Sequence, residues 1–148
     1  MVILVGVDEA GYGPNYGPLA VAASAWAVPD SEADQFPGPA FKGIFSGRRP
    51  SRSESTLWIA DSKSVYKPGK GLAMLERAVL PLTALAHGEA AIAASWQHVL
   101  ELLSPAAVRP MGMLPWYADL SADLPRDADR EQLGQRAKQL AAELRRRD

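Results

Sequence analysis

Near its start the chain reads VILVGVDEAGYGP, residues 2–14. Residues 2–7 form a nearly unbroken apolar run, which is typical of a central strand covered on both faces. The glycines and proline that follow are turn-forming residues, and a second apolar run occupies residues 19–28. Because the gap between the runs is short, we expect an antiparallel pair of strands, although the many alanines of the second run could equally favour a helix.

Asp8 and Glu9 stand where the first strand ends. Neighbouring side chains of a strand point to opposite faces, so both carboxylates address one site only if the chain leaves regular strand geometry there, which Gly11 permits. Hard ions such as magnesium prefer carboxylate oxygens, and two such ions can activate water and stabilise the leaving oxygen in phosphodiester cleavage. An acidic pair alone is more often merely solvated, but the nine-residue string at residues 6–14 is much more specific than the pair.

The next part of the chain, residues 29–55, is rich in proline, glycine and serine and has no usable periodicity. Long stretches of this kind are uncommon in compact domains and are often mobile or functional. The stretch contains Arg48, Arg49 and Arg52, but we interpret it as a solvated, flexible insertion rather than a phosphate-binding arm. Residues 56–60 then predict a short third strand, followed directly by an Asp-Ser-Lys sequence.

The rest of the chain contains apolar residues at helical spacing, which predicts three amphipathic helices. Pro81 disfavours helix at the residue before it, so we expect a break or kink at Leu80. The second helix should end near Ser104, and residues 111–124 are irregular. The three apolar sets are Leu72, Leu75, Val79 and Leu82; Ile92, Trp96, Val99 and Leu103; and Leu133, Ala137, Leu140 and Leu144.

The composition is that of a globular protein, with 148 residues of which 47% are hydrophobic and 22% are charged. The net charge of -1 gives no global basic field for nucleic acid, and the absence of cysteine excludes disulfides and thiolate metal sites. The apolar start is too short to span a membrane and lacks the features of a signal peptide. We therefore expect a cytoplasmic protein without a membrane partner, folded as a single domain over residues 1–148, with an oligomeric state that the sequence leaves open.

The acidic, glycine-rich string of residues 6–14 and the later Asp-Ser-Lys sequence, in this order, resemble the N-terminal part of type 2 ribonuclease H, or ribonuclease HII. That family begins with a strand carrying a Gly-x-Asp-Glu-Ala-Gly-Arg-Gly-Pro type motif, then Gly-Pro and a second apolar strand, and has Asp-Ser-Lys before its first long helix. This chain has GVDEAGYGP at residues 6–14, Gly-Pro at 17–18 and Asp-Ser-Lys at 61–63. The similarity covers residues 2–28 and 57 to about 80.

The resemblance implies an α/β, ribonuclease H-like fold, present here in part. It also implies metal-dependent hydrolysis of the RNA strand of RNA–DNA hybrids with Mg²⁺ or Mn²⁺, leaving a 3′-hydroxyl and a 5′-phosphate. By this resemblance, Asp8 and Glu9 are the catalytic metal ligands and Lys63 contacts a substrate phosphate. Gly11, Tyr12 and Gly13 would line the ribonucleotide near its 2′-hydroxyl, the group that distinguishes RNA from DNA.

The chain also departs from the family pattern. Tyr12 stands where the family has an arginine between the two glycines. The family completes its site with two further aspartates on later elements, and after residue 88 we find no apolar strand that ends in aspartate. Asp119 follows a Pro-Trp-Tyr sequence, and we expect Asp123, Asp127 and Asp129 to be solvated or helix-capping, so none of these later acids is assigned a catalytic role. The sequence therefore predicts the N-terminal part of a longer protein, inactive alone.

Two other functions fit the same residues. One is a non-catalytic ribonuclease H-like module that binds nucleic acid or a protein partner, which would bind hybrids without turnover. The other is an unrelated metal-dependent phosphohydrolase that uses Asp8 and Glu9, which would act on small phosphate esters but not on hybrids.

Overall fold

In the part of the chain that the structure describes, the architecture is a mixed α/β arrangement of two small sheets and several helices, as the α/β prediction requires. Contacts divide the chain into two compact units, residues 1–42 (unit 1) and 43–148 (unit 2). No helix of the described residues is long and apolar enough to cross a membrane. The computed structural model describes residues 1–10, 20–38, 41–51, 56–88, 91–117 and 119–146.

Unit 1 is built on an antiparallel hairpin. Strand β1, Val2–Ala10, pairs with strand β2, Ala20–Val28, in a register that runs from Val2 opposite Val28 to Ala10 opposite Ala20. The predicted antiparallel pair is thus confirmed, and the alanine-rich second run is a strand rather than a helix. A 3₁₀ helix over Asp30–Gln35 follows β2.

Only one face of the hairpin is covered, so the prediction of a strand buried on both faces is wrong. On the covered face Val28 is buried, and Trp26 packs against Phe36 and Phe41 with ring centroids 5.5 and 5.4 Å apart. The other face is open, and Ile3, for example, is 65% exposed. In the described residues the hairpin is a two-stranded sheet without a third strand.

The second small sheet lies in unit 2. Strand β3, Phe45–Ser46, pairs in parallel with strand β4, Leu57–Trp58. The predicted strand at residues 56–60 is therefore shorter than expected, and it pairs with a segment that we interpreted as part of a flexible insertion. Burial explains this pairing, since Ile44 and Leu57 are almost fully buried and the Leu57 N–H donates to the Ile44 carbonyl at 2.7 Å.

The other secondary-structure elements described in unit 2 are helices. Helix α3, Trp96–Leu103, ends with Ser104 as its C-cap, close to the predicted end. Helix α4, Pro105–Gly112, begins at Pro105, which suits a first helical position because the N–H that proline lacks is not needed there. A 3₁₀ turn follows at Pro115–Tyr117. Within the described residues the α-helices are α1 Ser62–Val65, α2 Ala73–Ala86, α3 Trp96–Leu103, α4 Pro105–Gly112 and α5 Arg130–Arg145.

The core of unit 2 lies between α2, α3 and α5. The predicted stripe of α5 is confirmed, because Leu133, Ala137 and Leu140 are buried. A side chain of α3, Val99, joins the same cluster. Its members are Leu80, Ala84, Ile92, Ala93, Val99, Leu124, Leu133 and Ala137.

Helix α2 differs from its sequence prediction in two ways. It continues through Pro81 without the predicted break, and Pro81 itself is buried. Its buried face includes Glu76, Leu80 and Thr83, whereas Val79 of the predicted apolar stripe is 50% exposed. Packing of this face against α5 and the core outweighs the hydrogen bond that proline cannot make.

Candidate functional site

The acidic pair lies at the end of β1, where strand pairing is still regular. Asp8 is opposite Ala22 and Glu9 is opposite Val21, and the ladder continues to Ala10. Both side chains are exposed, and the Glu9 N–H donates to Asp8 Oδ1 at 2.9 Å. Since side chains alternate along a strand, the two carboxylates point to opposite faces of the hairpin.

This arrangement separates the environments of the two carboxylates. Asp8 shares the face of Leu4 and Trp26, which carries the aromatic cluster, whereas Glu9 shares the open face of Val7. The departure from strand geometry that would bring both carboxylates to one site is not present through Ala10. The predicted substrate-lining residues Gly11, Tyr12 and Gly13 lie outside the described residues.

The Asp-Ser-Lys motif forms the start of a short helix in unit 2. Asp61 is the N-cap of α1, and its Oδ1 accepts the N–H of Lys63 at 2.8 Å. The side chain of Lys63 is exposed. Asp61 therefore stabilises the backbone at the start of α1, whereas the side chain of Lys63 lies in solvent. Helix α1 precedes the long helix α2 in the chain.

The donor chemistry of Asp8 and Glu9 fits Mg²⁺ or Mn²⁺, because both supply carboxylate oxygens. The described part of the chain nevertheless contains no group of three or more acidic or histidine side chains placed to hold a metal ion. Asp8 and Glu9 therefore supply at most part of the coordination shell of a metal ion.

The later aspartates include helix caps, as the sequence predicts. Asp129 caps α5 by accepting the Gln132 N–H at 2.8 Å, and Asp127 accepts the N–H of Leu72, the N-cap residue of α2, at 2.5 Å. Asp119 accepts the N–H of Ser121. These carboxylates have local structural roles.

Two features of unit 2 were missed by sequence reasoning. Glu76 is a buried carboxylate on α2, and its oxygens accept three consecutive backbone N–H groups, at residues 126–128. Arg77 and Arg136, on α2 and α5, line one cavity together with Arg49. No local sequence pattern reveals either feature, because the residues that meet in each are far apart in the chain. For Glu76 one signal was available in the sequence, which is an acidic residue within the apolar pattern of α2.

Comparison of the chain with protein-family models, with curated proteins and with solved structures found no significant match.

Proposed function

We propose that the chain provides part of a ribonuclease HII-like endonuclease, with a ribonuclease H-like fold, that hydrolyses the RNA strand of RNA–DNA hybrids with Mg²⁺ or Mn²⁺. The observation that carries the proposal is the pair of exposed carboxylates, Asp8 and Glu9, near the end of strand β1 and shortly before a glycine-rich sequence. The Asp61-capped helix with its exposed Lys63 adds support, because a lysine so placed can meet a phosphate as a point charge.

In this proposal Asp8 and Glu9 hold the divalent ions, and Lys63 binds a phosphate of the substrate backbone. When bound, such ions supply a water activated for attack on phosphorus and stabilise the leaving 3′ oxygen. For both carboxylates to bind at one site, the end of β1 must leave the regular pairing that it has at Glu9. Metal binding is therefore expected to weaken the last pairs of the β1–β2 ladder, which amide hydrogen exchange across residues 8–10 and 20–22 would report.

The proposed function is tested with a labelled RNA–DNA hybrid, with Mg²⁺, Mn²⁺ or a chelator. We expect metal-dependent binding of the hybrid in preference to duplex DNA. Where cleavage occurs, it should be confined to the RNA strand. Asp8→Asn should weaken the metal-dependent binding, whereas Asp34→Asn, a change at another exposed acid of unit 1, should not. Hybrid binding that changes neither when the metal is removed nor in the Asp8→Asn variant would contradict the assignment.

A second candidate, the non-catalytic nucleic-acid-binding module, is favoured by the opposite orientation of Asp8 and Glu9 and by the lack of a third ligand among the described residues. It predicts hybrid binding that persists in chelator, without cleavage. The same assay therefore distinguishes it from the nuclease.

A further inference from the structure

Unit 2 contains a cavity of about 660 Å³ whose walls come from α2, α5, β4 and the segments next to β4. Cavities of this size are typical of sites for small molecules. Its cationic and amide side chains converge from separate elements, and none of the described residues that line it is acidic. These side chains are Arg49, Arg77, Arg136, Gln132, Gln135 and Gln139.

The arginines place positive charge on more than one wall of the cavity. Arg136 of α5 is held in place by a hydrogen bond from its Nη1 to the Thr56 carbonyl, at 2.8 Å. Burial, and secondly the charge of nearby Arg77, lower the pKa of Arg136. Arg77 and Arg136 thus bring like charges close together in the cavity wall.

Buried polar groups also lie in the cavity wall. Within the described chain, Trp58 Nε1 and Thr56 Oγ1 are buried and make no hydrogen bond, and both residues line the cavity. The indole N–H is a donor only, so what it lacks is an acceptor. A buried donor without an acceptor is rare in folded proteins.

We propose that this cavity binds a phosphate group, with Arg49 and Arg77 as its cations. A guanidinium group can donate two parallel hydrogen bonds to two oxygens of one phosphate. Several guanidinium groups around one cavity suit a phosphate dianion better than a singly charged carboxylate. A phosphate alone would leave much of about 660 Å³ unfilled, so the expected ligand is a phosphate ester of a small molecule, of mononucleotide size. The proposal uses no residue of the proposed nuclease site and does not depend on that function.

Trp58 provides a local probe of binding. Its indole N–H resonance, assigned by its loss in Trp58→Phe, should shift saturably when inorganic phosphate is added at constant ionic strength. Arg77→Gln should weaken phosphate binding by about tenfold, and so should Arg49→Gln on another wall. The matched control is Arg109→Gln on α4, which removes an exposed arginine outside the cavity and should leave binding unchanged.

Thermal unfolding of each variant identifies any that fails to fold, and the two arginine variants provide independent tests. Saturable binding weakened by Arg49→Gln or Arg77→Gln, but not by Arg109→Gln, supports the proposal. Lack of a saturable shift, or a shift that all three variants share equally, overturns it.

Two further ligands distinguish the sources of the phosphate. A nucleoside monophosphate that binds more tightly than inorganic phosphate, and is sensitive to Arg77→Gln, identifies a small-molecule ester. Binding of the RNA–DNA hybrid that depends on Arg77, without a response to the mononucleotide, would instead assign a nucleic-acid phosphate. Asp8→Asn should leave phosphate binding at Trp58 unchanged, so failure of the nuclease proposal and failure of this one are separable.

Discussion

Glu76 shows how one buried side chain connects two parts of unit 2. Its Oε1 accepts the Arg126 N–H at 2.5 Å, and its Oε2 accepts those of Asp127 and Ala128 at 3.0 and 2.8 Å. A carboxylate is an acceptor only, so three N–H groups satisfy it where water is excluded. The segment before α5 is thereby fixed to α2.

Glu76→Gln is expected to destabilise the fold by about 1–3 kcal/mol, because an amide N–H would then face a backbone N–H in a buried position. Chemical denaturation gives the free energy of unfolding. The control is Glu101→Gln, at an exposed position of α3, which should stay within about 0.5 kcal/mol of the wild type. Equal stabilities of the two variants would show that Glu76 does not fix the segment.

Gly71 lies beside the same segment with φ +70°, and a Cβ atom there would approach Asp127 Oδ2 to 2.7 Å. Gly71→Ala therefore combines backbone strain with displacement of the carboxylate that accepts the Leu72 N–H. Gly69 has φ +77° with open space around a Cβ, so Gly69→Ala isolates the strain. We expect Gly71→Ala to be less stable than Gly69→Ala by about 0.5–1.5 kcal/mol, the worth of one hydrogen bond. Equal denaturation midpoints would argue against the contact.

Lys63 should support substrate binding rather than folding. Its backbone N–H, and not its exposed side chain, makes the bond to Asp61. Lys63→Ala should therefore change the free energy of unfolding by less than about 0.5 kcal/mol, and it should weaken hybrid binding and lower its salt dependence. Lys67→Ala, at a nearby exposed lysine, is the control for a general loss of charge. A large loss of stability with unchanged hybrid binding would make Lys63 structural.

At the scale of elements, local patterns predicted the hairpin and α5 but not their surroundings. Apolar runs and helical spacing are local signals, and they identified β1, β2 and the buried stripe of α5 correctly. The pairing of β3 with β4 depends on burial of Ile44 and Leu57, which no local period reveals. The break predicted at Leu80 is absent because tertiary packing outweighs the local cost of Pro81.

The open face of the hairpin is expected to associate at high concentration. Ile3, Val5 and Val7 are 65%, 63% and 65% exposed and form a continuous apolar row on one face. Val5→Lys should reduce the concentration dependence of the mass measured by sedimentation equilibrium. Val79→Lys, at an exposed valine of α2, should not. An equal effect of both substitutions, or of neither, would contradict a role for this face.

At the scale of the whole molecule, candidate residues can be selected from the sequence more readily than their geometry can be predicted. The sequence indicated Asp8, Glu9 and Lys63, and the structure places all three side chains in solvent, with both acids at the end of β1. It did not predict that regular pairing would continue to Ala10, because that depends on how residues 20–22 pair opposite the acids. The arginine cavity was beyond sequence reasoning, since its walls come together only in the folded unit.

Titration with Mn²⁺, followed by the electron paramagnetic resonance signal of the free ion, probes the acidic pair without requiring turnover. We compare the wild type with Asp8→Asn, Glu9→Gln and the control Asp34→Asn. If the pair forms the proposed metal site, both substitutions in it lower Mn²⁺ affinity by at least about tenfold, and Asp34→Asn leaves the affinity unchanged. Equal affinities of all four proteins would contradict the metal site and, with it, the proposed nuclease.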